Sequence, residues 1–176
     1  MKHFPLFVWS LGALMLGTLV VPSLFGVWEN VFPYAYLVGL LLFFGLHPTT
    51  LWTGIFIALG AEGVGLYPLG TLAIPFALSF GVLLFLKRFV NVKPLSVPGR
   101  TISESATSLG IGLILLPLFH LFSVGASRAL YGFGQTIGDI GVSILSIRTG
   151  LIGLAMLAAA WGMLVCFNSF AARTTA

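Results

Sequence analysis

Charge is what this chain has least of. Only 7% of its 176 residues are Asp, Glu, Lys or Arg, against roughly 25% in a typical soluble domain. With 59% of residues hydrophobic and a mean hydropathy of +1.12, no water-facing shell can be assembled, so the expected solvent is lipid. Cysteine is nearly absent too. The lone Cys166, inside an apolar run, excludes a disulfide framework and a thiolate metal site, and reads as a small buried hydrophobe. His3, His47 and His120 show no ligand spacing, and no nucleophile elbow, P-loop, HExxH or paired-carboxylate pattern is present. A non-enzymatic protein without metal or cofactor is therefore expected. The net charge of +4 comes from eight basic residues that form no stripe, which argues against nucleic acid as a partner.

What the chain has instead is long apolar runs. A spanning helix needs about 20 residues, and runs bounded by turn residues predict an all-α membrane bundle of about six spans in a single domain, residues 1–176. The spans are placed at 4–25, 33–46, 51–64, 70–86, 103–124 and 150–170. The first run follows Lys2 but is long and lacks a clear small-x-small exit, so it is read as a span and not as a cleaved signal. Span two is short, and little tilt or a partly interfacial position is expected of it. Thr50 is the candidate N-cap of span three, Pro75 is expected to bend span four, and Pro117 is expected to kink span five. Between spans five and six, Ile137, Ile140, Ile144 and Ile147 recur at steps of three and four. That spacing predicts an interfacial amphipathic segment over 136–148.

Basic residues then orient the bundle. With both termini in the cytoplasm, Lys2, Lys87, Arg88, Lys93, Arg100 and Arg173 lie inside and only Arg128 and Arg148 outside, as the positive-inside rule prefers.

Of the four acids, Glu29 and Glu104 fall at helix ends near water, and Asp139 is a candidate partner for Arg128 or Arg148. Glu62 stands apart. It ends an apolar run, has no base beside it in sequence, and opens a stretch with four glycines and a proline in residues 60–70. An ionisable group there costs a few kcal/mol unless it faces protein or water. It is expected either to be buried toward the bundle or to reach the outer interface across the glycine turn, and a structural role such as bonding the exposed N–H groups of the broken turn is expected of it ahead of proton transport. Proton transport through Glu62 is the least supported role, because no second buried charge is visible. Gly54, Ala58 and Glu62 recur at intervals of four on span three, as do Ala158 and Gly162 on span six, and such faces let helix backbones approach closely.

From Pro33 to Leu78 the order of features resembles the rod-shape-determining protein MreD family. A proline opens span two, a short loop follows, and a glycine-rich span three ends in an acid. Eight residues on, a glycine opens span four. Here the motif reads Gly54-Ile55-Phe56-Ile57-Ala58-Leu59-Gly60-Ala61-Glu62, then Tyr67-Pro68-Leu69-Gly70-Thr71-Leu72-Ala73. The family's acid is usually aspartate where this chain has Glu62, and a glycine common in the family is replaced by Ala58.

The resemblance implies a fold similar to the substrate-binding subunits of energy-coupling-factor transporters. It also implies a non-enzymatic component of the bacterial cell-elongation machinery in the inner membrane. The implied partners are MreC-like, MreB-like and RodA or penicillin-binding-protein-like proteins. In that reading Gly54, Ala58, Glu62 and Gly70 are structural or interaction candidates, and helix faces together with the basic loop of Lys87, Arg88, Lys93 and Arg100 dock partner proteins, the loop also touching anionic membrane lipid. The alternative is a substrate-binding membrane subunit of a vitamin-type transporter, with Trp28, Tyr67 and Tyr131 lining a cavity near Glu62.

Overall fold

The computed structural model of the chain describes residues 3–25, 32–65, 67–90, 94–96, 102–132 and 147–173. Within them there are six helices and no strand: α1 (His3–Phe25), α2 (Phe32–Phe44), α3 (Pro48–Gly63), α4 (Ala73–Leu86), α5 (Ile102–Tyr131) and α6 (Ile147–Arg173).

Helix α2 is the axis of the bundle. It is apolar all round, the mark of a helix enclosed by protein. Eleven of its thirteen residues are buried, and it packs on all five other helices. Gly39 lets α6 approach, with the position of its missing Cβ 3.5 Å from the Ala160 methyl. The Tyr36 hydroxyl donates to Ser10 Oγ of α1 at 2.9 Å. At about 1.5 Å rise per residue α2 is only about 20 Å long, and its C-terminal end is completed by another part of the chain. Leu95 and Ser96 donate their N–H groups to the carbonyls of Leu42 and Phe43 at 2.8 and 3.0 Å, so two acceptors that the helix leaves open are satisfied. The turn there runs through Gly45 at φ +78°, where a Cβ would overlap the Pro94 ring.

Several boundaries differ from those predicted. Helix α3 begins at Pro48, with His47 and not Thr50 as its N-cap. A proline in the first position is preset for the helix, and its missing N–H would have had no intrahelical partner. Thr50 is thereby drawn into the first turn, where its N–H bonds the His47 carbonyl at 2.9 Å. Helix α4 begins at Ala73 and not at Gly70, so Pro75 sits in its first turn, where it breaks no hydrogen bond and no bend is needed. Helix α5 continues past Val124 to Tyr131, with Pro117 inside it, because its last two turns pack and bond along the α3–α4 connector. Helix α6 opens at Ile147, so Ile147 and Arg148 belong to it; the rest of the 136–148 segment, with Asp139, lies outside the described residues, as do Glu29 and Trp28.

The predicted small-residue face of span six also turns out differently. Ala158, Gly162 and Cys166 point away from the bundle, while Gly153, Met156, Leu157, Ala160, Leu164 and Phe167 face in. The larger side chains fill the space around α2, and only Ala160 is needed where Gly39 approaches.

Two stretches, Ser103–Tyr131 of α5 and Leu151–Ser169 of α6, are long and apolar enough to cross a membrane. The outer surface is apolar as well: Leu16, Trp52, Phe56, Phe85, Ile114 and Leu151 are each 59–63% exposed. A water-soluble monomer rarely leaves apolar side chains so generally uncovered.

Candidate functional site

The site is built where α3 ends and α4 begins. Gly54, Ala58 and Glu62 lie on one buried face of α3, as their spacing of four dictates. The Phe76 ring of α4 lies against Gly54 so closely that a Cβ there would overlap it. Ala58, Ala61, Leu72 and Phe76 are all fully buried, so the interior beside Glu62 is filled with side chains.

Glu62 itself is only 3% exposed. Its Oε1 accepts the N–H of Leu72 at 2.6 Å and that of Ala73 at 3.0 Å. Ile74 N–H reaches the Gly70 carbonyl at 3.4 Å, Pro75 has no N–H, and Phe76 N–H makes the first bond within the helix, to the Leu72 carbonyl at 3.0 Å. The opening donors of α4 are thus fully accounted for, and the carboxylate that serves two of them comes from the end of the preceding helix. A negative group in this position is favoured by the partial positive charge of a helix N-terminus. Hydrogen bonds to a charged group contribute about 1.5–3 kcal/mol each. Glu62 Oε2 is buried and has no hydrogen-bond partner among the described residues. The carboxylate therefore turns inward, not to the outer interface, and bonds the backbone where the chain re-enters a helix.

The connector between the helices is tied to α5 and α2. Thr71 Oγ1 donates to the Pro68 carbonyl at 2.7 Å, and Ser123 Oγ of α5 donates to the Thr71 carbonyl at 2.8 Å. A serine hydroxyl has one proton to give, so the Tyr34 hydroxyl is the donor in its 3.4 Å contact with Ser123 Oγ. The Tyr131 hydroxyl donates to the Leu69 carbonyl at 2.7 Å. Gly70, at φ +85°, makes the turn, and a Cβ there would meet the Leu130 side chain. Burial, with a smaller contribution from Tyr34, pushes the Tyr67 phenol above its usual range, so it is neutral at physiological pH.

Gly54, Ala58, Glu62 and Gly70 therefore belong to one assembly. Lys87 and Arg88 do not: they stand exposed at the far end of α4, about 20 Å away by helix rise. Lys93 and Arg100 lie outside the described residues. Tyr131 is exposed and bonds the connector from outside, so it does not line a cavity beside Glu62. Tyr34, Thr71 and Ser123 were missed from sequence: although Ser123 falls within the span predicted for α5, three hydroxyls 37 and 52 residues apart along the chain carry no signal that they meet. No three His, Cys, Asp or Glu side chains converge among the described residues.

The class these features define is a helical bundle whose third and fourth helices form an internally capped hairpin. No protein family, curated protein or solved structure matches the chain.

Proposed function

We propose that this is a non-enzymatic, MreD-like scaffold of the bacterial cell-elongation machinery, crossing the inner membrane six times with both termini in the cytoplasm. The observation that carries the reading is the hairpin. The acid ending span three and the glycine eight residues later, on which the resemblance rests, are the residues that cap and turn into α4. An element held this firmly presents its outer surfaces in fixed positions, which suits docking to other membrane proteins.

The six-span arrangement draws support from the two long helices, the outward apolar surface and the enclosure of the short α2. A short helix surrounded by protein need not match the bilayer by its own length, because non-lipid-exposed backbone is tolerated at membrane depth. The alternation of the spans draws support from the way the ends segregate. The stretch that follows Lys87 and Arg88 bonds the C-terminal end of α2, whereas the end of α5 bonds the α3–α4 connector, as alternating helices require. MreC-like, MreB-like and RodA or penicillin-binding-protein-like proteins are the proposed partners.

The test is cross-linking and affinity purification of the full chain from its native membrane, combined with depletion. Recovery of an MreC-like protein or an elongation synthase, with loss of rod shape on depletion, is expected. A clean monomer with no partner and normal cell shape on depletion overturns the proposal.

A further inference from the structure

The backbone of α4 goes on turning beyond Leu86. Lys87 N–H bonds the Leu83 carbonyl at 2.8 Å, Arg88 bonds Phe85 at 3.1 Å, and Phe89 and Val90 both bond Leu86 at 2.9 Å. Phe85 and Phe89, four residues apart, therefore share a face, and their ring centroids are 5.3 Å apart. Phe85 is 59% and Phe89 73% exposed, the latter the most uncovered large apolar side chain among the described residues. Lys87 and Arg88 are exposed in the same turn, Arg88 three residues from Phe85 and so on the side of the rings, with no ion pair among the described residues, and no acid occurs in sequence from Lys87 to Ser103. The chain then folds back under the bundle, where Leu95 and Ser96 bond the end of α2.

Two open phenyl rings in one helix-end turn with two cations that have no ion pair among the described residues are complementary to one kind of molecule: an amphiphile with an anionic head and an apolar tail. A free phosphate would engage the cations and leave the rings in water. We propose that Phe85, Lys87, Arg88 and Phe89 bind an anionic phospholipid, with its phosphate on the two cations and its acyl chain against the rings. This rests on the reading of α4 as a membrane span.

The probe is phosphatidylglycerol, titrated against phosphatidylcholine of the same acyl chains, onto the detergent-solubilised full chain and followed by native mass spectrometry. Basic residues near an anionic surface contribute about fivefold each in affinity, so phosphatidylglycerol is expected to bind about 25-fold more tightly. Lys87→Gln with Arg88→Gln should remove that preference, Arg88→Lys should keep most of it, and Phe85→Ala with Phe89→Ala should weaken both lipids alike. Equal binding of the two lipids, a preference that survives the double Gln variant, or displacement of phosphatidylglycerol by millimolar inorganic phosphate overturns the proposal. Alkaline carbonate extraction of native membranes separates the two levels. Release of the protein would remove the membrane reading itself, whereas retention together with equal lipid binding would remove only the lipid site.

Discussion

The Glu62 carboxylate accepts the backbone N–H of Leu72 at 2.6 Å, ten residues along the chain. The end of one helix thereby caps the start of the next, and the same oxygen holds Ala73. Because the side chain is buried, no water stands ready to replace it. Glu62→Ala should strand both N–H groups and cost about 2–4 kcal/mol, the range for unsatisfied buried donors once bonded to a charge. Glu62→Gln keeps a carbonyl oxygen for the same donors but sets an amide NH2 where Oε2 has no partner among the described residues, so it should cost less than Glu62→Ala, about 1–2 kcal/mol. Unfolding in mixed detergent micelles measures both. Equal losses would show that the bonds to Leu72 and Ala73 are not what Glu62 supplies.

Gly54 tests the packing half of the hairpin. A methyl group there meets the Phe76 ring, which is fully buried and has nowhere to retreat. Gly54→Ala should destabilise by about 1–3 kcal/mol, as overpacking does, and Phe76→Leu should recover part of that loss in the double variant. The double-mutant cycle in the same micelle assay should give a coupling of about 1 kcal/mol or more. Strict additivity would mean that the two residues do not constrain each other.

Much of this hairpin was legible in the sequence. The period of four placed Gly54, Ala58 and Glu62 on one face, and the glycines marked the break between helices. The boundaries were less legible, for a physical reason. Thr50 and Pro75 were read by residue type, as a cap and as a kink, yet both fall in first turns, where a proline costs nothing and a threonine is not needed as a cap. The inward face of α6 was hidden because alanine and glycine occur on both sides of that helix, and only the packing of a neighbour tells which side they serve. Gly39 packs opposite Ala160, and among the described residues nothing lies within 4 Å of where a Cβ on Gly162 would sit.

The stretch of α5 from Ser123 to Tyr131 should act as a clasp on the connector. Tyr131→Phe removes the donor to the Leu69 carbonyl, and Ser123→Ala removes the donor to Thr71. Interhelical hydrogen bonds of this kind in membrane proteins average about 0.6 kcal/mol, so global unfolding should shift little. Amide exchange is the sensitive measurement. Residues 69–73 should exchange several-fold faster in the double variant, while the core of α2 is unchanged. Unaltered exchange at Thr71 and Leu72 would count against the clasp.

Leu69 and Lys87 flank α4 on opposite ends, and both are exposed, which allows the membrane reading to be tested at single residues. Cys166 is exposed on α6 and must first be replaced by serine. In that background, Leu69→Cys should react with an impermeant maleimide added to intact spheroplasts, and Lys87→Cys only after the membrane is opened. Helix α4 has 14 residues and is about 21 Å long, short of the roughly 30 Å hydrocarbon core. The labelled sites lie beyond its ends, 18 residues apart in sequence, so both can be reached by water from opposite faces with only modest thinning of the bilayer. Rapid labelling of both from opposite sides therefore establishes the span. Labelling of both from one side would mean that α4 lies along the membrane, and the six-span topology would fall with it.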